Sequence, residues 1–171
     1  MEAIYATDSK NGLSKDGIIP WKSKKDMEFF MNKTKNNIVI MGRKTYFSIP
    51  NGPLKERLNI VITNEPNKYI VDDSIDHNNV IFTSNINIYK NILLNKDKYL
   101  KLYNCLKIDF TIYIIGGKEI YEKFIPICSK IWVTKFKKHY NCDLFFNYNY
   151  YSIVFTPFYI LNADFYIGHS I

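Results

Sequence analysis

Apolar, strand-like runs alternate with helix-like segments along most of this chain, and this alternation constrains its fold more than any other feature. Two runs, NIVIMG (37–42) and FTIYIIGG (110–117), end at glycine and pass directly into short helical patterns, while LNIVIT (58–63) ends at turn residues. Continuous apolar runs are typical of strands buried on both faces of a parallel sheet. The pattern therefore predicts a three-layer α/β domain with a central, mainly parallel sheet and flanking helices.

The remaining segments extend this prediction toward both ends of the chain. Further strands are predicted at 3–7, 79–84 and 130–136, and helices at 24–35, 43–49, 86–94 and 118–124. Residues 95–109 lack clear periodicity and are predicted as a loop with at most one helical turn. Two C-terminal runs, 151–158 and 161–167, predict an antiparallel hairpin across an Asn-Ala-Asp turn. A chain of 171 residues without a repeat or linker predicts one domain over residues 1–171.

Charge and the chain start limit the partners and the compartment. Lys and Arg outnumber Asp and Glu by 23 to 16, and the net charge of +7 favours anionic partners such as phosphates, carboxylates or nucleic acid. The start does not resemble a signal peptide, and no apolar stretch is long enough to cross a membrane. We therefore expect a cytoplasmic protein that does not act at a membrane.

The cysteines and histidines lack the spacing of a metal site. The three histidines, His77, His139 and His169, are far apart in the sequence, and the cysteines are odd in number and unpaired in spacing: Cys105, Cys128 and Cys142. Paired ligands at short, regular spacing are the signature of a zinc site, and none is present. We expect reduced, structural thiols, surface histidines without carboxylate companions, and no metal.

The two arginines indicate sites for anions, because the chain otherwise uses lysine as its cation. Arg57 directly precedes a buried strand, and its planar fork suits a carboxylate. Arg43 and Lys44 follow a strand-end glycine at a helix start, an arrangement that favours a phosphate, although a solvated basic turn is the alternative. Gly116 and Gly117 repeat the arrangement before KEIYEKF, without forming the six-residue dinucleotide fingerprint.

The stretch DGIIPWKSKKDMEFF (16–30) places an acid at the start of an apolar helix pattern. Met27, Phe30, Met31 and Thr34 share one face of this predicted helix. Asp26 fits two explanations. It is a favourable charge at a helix N-terminus, or it is a carboxylate sheltered from water by a buried Trp21, able to hold a proton near neutrality and to accept two parallel N–H bonds.

Taken together, these segments resemble dihydrofolate reductase. ATDSKNGLSKDGIIPW, an acid five residues after its Trp, MGRKTYFSIP, PLKERLNIVIT and IIGGKEIYEKF occur in the order and approximate spacing of that family. The resemblance covers Ala3 to about Asp143, with a weaker echo in the tail. It implies a central mixed sheet with flanking helices and antiparallel C-terminal strands, which is compatible with the fold predicted from the alternation.

The resemblance also implies an activity and a set of roles. The activity is NADPH-dependent reduction of 7,8-dihydrofolate to 5,6,7,8-tetrahydrofolate, which supports one-carbon metabolism and thymidylate synthesis, by a monomer that binds small molecules only. Asp26 would hold N3 and the 2-amino group of the pteridine and promote protonation at N5, with Trp21, Thr134 and an ordered water assisting. Arg57 would bind the glutamate α-carboxylate.

The implied pockets follow residue by residue. The substrate pocket comprises Ile4, Ala6, Met27, Phe30, Ile49, Leu54, Arg57 and Ile115. The cofactor site comprises Ala6, Leu13, Gly42, Arg43, Lys44, Thr45, Ile62, Thr63, Asn64, Gly116, Gly117, Lys118, Glu119, Ile120 and Tyr121. In the family the Gly-Gly peptide is cis, which here is Gly116–Gly117.

Departures from the family's pattern and two rival functions remain. Ser14 and Cys142 stand where glycine is common in the family, Tyr46 where tryptophan is common, and Asn64 where serine is common. None of these changes removes a chemical group used in the implied mechanism. The nearest rival is the reductase of riboflavin synthesis, which shares the fold and NADPH but is not expected to carry the Pro-Trp loop followed by an acid. The second rival is a basic, aromatic-rich nucleic-acid binder, although no RNP-type motif is present.

Overall fold

The computed structural model describes residues 1–72, 74–75, 77–146, 153–160 and 163–170, the last two ranges as backbone. Its strands are β1 Glu2–Thr7, β2 Gly12–Ser14, β3 Ile38–Gly42, β4 Leu58–Ile62, β5 Val80–Thr83, β6 Ile112–Gly116, β7 Lys130–Phe136, β8 Leu144–Phe145, β9 Ile153–Ile160 and β10 Ala163–Ser170. Its α-helices are α1 Lys24–Thr34, α2 Arg43–Ser48, α3 Pro66–Ile70, α4 Ile88–Leu94, α5 Lys96–Leu102 and α6 Lys118–Phe124. Two short 3-10 helices lie at His77–Asn79 and Ile125–Ile127.

Eight strands form one sheet in the order β5-β4-β3-β6-β1-β7-β10-β9. The pairings from β5 through to β7 are all parallel. The pairings of β7 with β10 and of β10 with β9 are antiparallel. The predicted fold class, a mainly parallel sheet with antiparallel C-terminal strands and flanking helices, is therefore confirmed.

Alternation along each strand divides the core between the two faces of the sheet. In β3, Ile38 and Ile40 pack into one cluster, and Val39 and Met41 pack into the other, and all four are fully buried. Neighbouring side chains of a strand point to opposite faces, so an uninterrupted apolar run is needed when helices cover both. This requirement explains why the strand runs were the clearest signal in the sequence.

Two short helices were not predicted. The sequence interpretation treated the residues after β4 as a turn and 95–109 as a loop, yet α3 and α5 occupy parts of both. Each of these helices buries one residue, Tyr69 in α3 and Tyr99 in α5. A helix with one buried side chain has no apolar repeat, so its sequence carries no periodic signal.

The loop predictions also needed correction at two places. Residues 12–14, which the sequence pattern left as a loop between the first strand and the first helix, form β2, which pairs antiparallel with β8. At the C-terminal hairpin, Ala163 and Asp164 of the predicted turn lie in β10, and the rest of that turn falls outside the described residues. The antiparallel hairpin itself is confirmed by the register of β9 with β10.

Candidate active site

The parallel strands end along one edge of the sheet, and most predicted site residues lie there. Register places Ala6 of β1 opposite Thr134 of β7, and Gly42 of β3 opposite Ile62 of β4. Gly116 ends β6 beside β3. Ligands of open α/β sheets bind outside the carboxyl ends of the strands, so this edge is the expected location of a site.

Asp26 lies in the first turn of α1, and its carboxylate faces the sheet. The helix is capped by Ser23, whose Oγ accepts a hydrogen bond from the Asp26 backbone N–H at 3.3 Å. Burial raises the pKa of the Asp26 carboxyl above its ordinary value, and a hydrogen bond from buried Thr134 opposes part of that shift. Asp26 is therefore more than a dipole-stabilising charge, because its side chain is partly desolvated and directed at β7.

Trp21 lies five positions before this acid in the sequence, and its predicted burial is confirmed at 6% exposure. Its ring lies 5.1 Å from that of Phe136 and 5.7 Å from that of Tyr140. Within the described part of the chain, Trp21 Nε1 is the one buried side-chain nitrogen or oxygen without a hydrogen-bond partner. A buried donor of this kind is costly unless a water or ligand satisfies it, so Trp21 Nε1 is a candidate contact for one.

Apolar side chains flank the acid and remain partly accessible. Met27 and Met31 of α1 are 59% and 50% exposed, so part of the apolar face of this helix is accessible. Phe30, Ile49, Leu54 and Ile115 are partly buried around the cluster that contains Ile4. Accessible apolar surface beside a partly desolvated carboxylate is the composition of a small-molecule pocket.

Arg57 is held rigidly at one end of this pocket. The residue is 4% exposed, and its Nε donates to Thr34 Oγ1 at 2.8 Å. One terminal nitrogen donates to the Lys55 carbonyl at 2.7 Å and the other to the Met31 carbonyl at 3.3 Å. Two of its five N–H groups then have no partner among the described residues, which leaves a fork with one donor on each terminal nitrogen.

Glycines end β3 and β6 at the carboxyl edge of the sheet. The Gly116–Gly117 peptide is cis, as the family resemblance implied. A Cβ at Gly116, where φ is +105°, would lie 2.7 Å from the Tyr121 ring, and one at Gly117 would lie 3.2 Å from Thr45 Oγ1. Only glycine fits at Gly116, because the positive φ and the Tyr121 ring both exclude a side chain there.

Cations and hydroxyls surround these glycines. Arg43 is exposed at the start of α2 and donates to the Tyr69 hydroxyl at 3.3 Å. Lys44 is exposed beside it, and Lys118 follows the double glycine. Just after β4, the Thr63 hydroxyl accepts a hydrogen bond from the backbone N–H of Glu65 at 3.3 Å. The arrangement offers positive charge and donors suited to phosphate groups.

Some predicted cofactor residues lie deeper than expected. Leu13 and Ile120 are buried in the core, and the backbone N–H groups of Ile120 and Tyr121 already donate to the Gly117 carbonyl at 2.9 and 3.0 Å. Tyr121 directs its hydroxyl to the Ile4 carbonyl at 3.0 Å. These residues are buried and support the site instead of forming its accessible surface. Those remaining at its rim are Thr45, Ile62, Asn64 and Glu119.

Several residues that contribute to the site were not predicted from the sequence. Tyr69 supports Arg43, and Phe136 and Tyr140 support Trp21. The expectation that the histidines lack carboxylate companions is wrong for His139, whose Nε2 lies 3.9 Å from Asp8 Oδ2. These contacts join residues distant in sequence, so no local pattern could have revealed them.

Across the described ranges, no three His, Cys, Asp or Glu residues cluster closely enough to hold a metal ion. No helix among those residues is both long and apolar enough to span a bilayer. Cys105, Cys128 and Cys142 are free thiols.

The fold is an α/β domain whose carboxyl edge carries glycines and exposed cations at β3 and β6 and a partly desolvated acid that faces β7. Sequence comparison identifies the family, because the profile described as dihydrofolate reductase matches residues 1–156. The chain belongs to the dihydrofolate reductase family. This membership confirms the family and the enzyme class predicted from the sequence.

Individual relatives support the assignment. The chain is 30% identical over 154 residues to dihydrofolate reductase of Aedes albopictus, covering 84% of this chain and 76% of that protein. It is 32% identical over 143 residues to dihydrofolate reductase of Staphylococcus haemolyticus, covering 84% and 74%. It is 34% identical over 155 residues to the bifunctional dihydrofolate reductase-thymidylate synthase of Daucus carota, and it spans 27% of that longer protein.

A solved structure shows the same fold. The dihydrofolate reductase from Enterococcus faecalis, complexed with NADP(H) and RAB-propyl, superposes with a TM-score of 0.72 at 23% sequence identity. The superposition covers 99% of this chain and 95% of that one.

Proposed function

We propose that this chain catalyses the NADPH-dependent reduction of 7,8-dihydrofolate to 5,6,7,8-tetrahydrofolate. The observation that carries the proposal is the desolvated Asp26 carboxylate, bonded to Thr134 and set in a largely apolar pocket. Such a group recognises a flat heterocycle that presents two parallel N–H donors, as the pteridine of dihydrofolate does. Tetrahydrofolate made in this way supplies one-carbon metabolism and thymidylate synthesis.

The pocket residues divide the substrate between them. Asp26 accepts hydrogen bonds from N3 and the 2-amino group of the pteridine. Met27 and Phe30, with Ile49 opposite, cover the ring and the p-aminobenzoyl group with apolar surface. The two N–H groups of Arg57 that lack a partner among the described residues bind the glutamate α-carboxylate as a fork.

The reaction adds a hydride to C6 of the pteridine and a proton to N5. Because burial raises the pKa of Asp26, a proton is held in the site closer to neutrality than an exposed aspartate would hold it. The buried Nε1 of Trp21 orients a water that relays the proton, and Thr134 keeps the carboxylate in place. The apolar walls exclude other water, which strengthens these electrostatic interactions.

The residues at the glycine-lined edge fit NADPH, which supplies the hydride when it is bound. Gly116 ends β6 and Gly117 directly precedes α6, where the family resemblance places the phosphates, and Ala6 and Ile115 border the nicotinamide. Arg43 and Lys44 bind the phosphates, and Arg43 is already oriented by Tyr69. Thr63 and Asn64 border the adenosine end, as the family resemblance implies.

We further propose a cytoplasmic monomer that takes no nucleic-acid or membrane partner. Two tests address the whole proposal: sedimentation velocity for the monomer, and an assay that follows NADPH absorbance with either dihydrofolate or the ribosylated pyrimidine of riboflavin synthesis. Oxidation that depends on dihydrofolate supports the proposal. Oxidation that depends only on the pyrimidine substrate contradicts it. DNA binding that weakens with salt, by a protein without any reductase activity, would also contradict it.

A further inference from the structure

A fully buried carboxylate outside the proposed pocket joins two segments that flank it. The Asp8 side chain is 0% exposed and lies just after β1. Its Oδ1 accepts hydrogen bonds from the backbone N–H groups of Gly12 at 2.8 Å and Lys10 at 2.9 Å. Its Oδ2 accepts one from the backbone N–H of Tyr140 at 3.0 Å. One side chain therefore connects the β1–β2 loop to the segment between β7 and β8.

The environment of Asp8 favours its charged form. Burial alone would raise the pKa of the carboxyl, but the three backbone bonds hold it below its ordinary value. His139 Nε2 adds an attraction from 3.9 Å. The Cys142 thiol also faces Asp8, and burial together with the nearby carboxylate raises its pKa. Breaking such a buried, multiply bonded charge is strongly destabilising, so the two segments are held in one relative position.

Close packing at the same crossing reinforces this position. A Cβ at Gly12 would lie 2.3 Å from Cys142 Cβ and 3.1 Å from Asp8 Oδ1. The two segments touch so closely that a single methyl group cannot be inserted without moving one of them. The crossing is therefore a defined contact between two rigid segments.

The segment that Asp8 holds packs on Trp21, which lies five positions before the proposed acid. The ring of Tyr140 packs edge-on against Trp21 at 5.7 Å, and both contact Phe136. Ala6 packs against this same cluster and lies opposite Thr134 in the sheet register. A shift of the Tyr140 segment would therefore move Trp21 and disturb Ala6, the sheet neighbour of the Thr134 that donates to the Asp26 carboxylate.

We infer that Asp8 is a positioning residue for hydride transfer, which acts through Tyr140 to hold Trp21 against the proton-donating end of the pocket. The inference rests on the proposed function. A residue with this role affects the rate of the chemical step in addition to stability. A purely structural residue affects stability alone.

The test is Asp8→Asn, with Asn37→Asp as its matched control. If the asparagine keeps its oxygen toward the β1–β2 loop, its amide group faces the Tyr140 N–H, and a donor then meets a donor. Asn37 is 1% exposed at the opposite edge of the sheet and donates to the Lys33 and Lys35 carbonyls at 3.1 and 2.8 Å. Both changes are isosteric, and both disrupt a buried side chain with several backbone bonds.

The measurements are the melting temperature and the single-turnover rate of NADPH oxidation across pH. We expect both variants to melt lower, and Asp8→Asn alone to slow hydride transfer by about ten- to a hundredfold at pH 7. Its pH profile should also move to lower pH, because a displaced Trp21 exposes Asp26 to water. Thr134 and the Tyr121 phenol, which face Asp26 from β7 and α6, are unchanged in both variants.

A second variant keeps the test decisive if Asp8→Asn does not fold. Tyr140→Leu retains the backbone N–H to Asp8 and removes the ring that packs on Trp21, so it should reproduce the slower step and the shifted profile. A folded Asp8→Asn or Tyr140→Leu with the wild-type rate and profile would overturn the positioning role alone. A wild-type protein without dihydrofolate-dependent NADPH oxidation would overturn the proposed function as well.

Discussion

Replacing Arg57 with lysine separates the two tasks of this buried guanidinium. Three of its N–H groups donate within the protein, to Thr34 Oγ1 and to the carbonyls of Lys55 and Met31. The two that lack such a partner in the described structure form the fork proposed for the substrate carboxylate. A lysine ammonium has three donors around one point, so it cannot serve both sets.

The magnitude follows from the bonds that are lost. A hydrogen bond to a charged group contributes about 1.5–3 kcal/mol, and lysine can retain one contact to the carboxylate in place of two. Dihydrofolate affinity should therefore fall by about 1.5–3 kcal/mol, which is roughly ten- to a hundredfold in Kd. Loss of the Thr34 contact should also lower the free energy of unfolding, by about 1–3 kcal/mol.

Fluorescence titration with two substrates distinguishes these effects. Dihydrofolate should bind Arg57→Lys more weakly, while a 7,8-dihydropterin that lacks the p-aminobenzoyl-glutamate tail should bind as it does to the wild type. Arg43→Lys, at the chain's only other arginine, is the control and should leave the affinity for dihydrofolate unchanged. Equal loss for both substrates would refute the carboxylate role and assign Arg57 to structure.

Three further predictions address the acid, the phosphates and the loop crossing. Burial raises the pKa of Asp26, so its ionised form opposes folding. Asp26→Asn should therefore raise the melting temperature at pH 7, and the gain should vanish below about pH 4. A lower melting temperature of this variant at pH 7 would contradict the prediction. NADPH should be preferred over NADH by at least about 1–3 kcal/mol in kcat/KM. The preference should shrink with salt and in the Arg43→Ala, Lys44→Ala double variant. An unchanged ratio of kcat/KM for the two cofactors in the double variant would refute the phosphate site. Gly12→Ala should cost about 1–3 kcal/mol of stability, and Cys142→Gly should restore most of it, as denaturant titration would show.

The fold could be predicted from the sequence because its strongest requirement is local. Strands covered on both faces need uninterrupted apolar runs, and β3, β4, β6 and β7 each lie within such a run. Elements that bury little were missed. α3 and α5 each bury one tyrosine, and β2 and β8 are only three and two residues long.

The site was predictable to the extent that its residues lie in continuous motifs. Trp21 with Asp26, and the double glycine before α6, could be recognised in this way. The supporting contacts could not, because they arise only from the three-dimensional arrangement. Asp8 and Tyr140 are 132 positions apart in the sequence and meet through one hydrogen bond. Nothing in the residues around either one indicates the other.

The most direct test of the account is the pH dependence of hydride transfer, measured in a single turnover with NADPH and dihydrofolate. We predict a dihydrofolate-dependent rate that falls as pH rises through an apparent pKa above the ordinary aspartate value of 3.8, since burial favours the protonated form. In Asp26→Asn the rate at pH 7 should fall by about two orders of magnitude or more, while NADPH binding is retained. A wild-type rate in Asp26→Asn at pH 7, or no dihydrofolate-dependent oxidation by the wild type, would contradict the assignment of Asp26 as the acid of a dihydrofolate-reducing site.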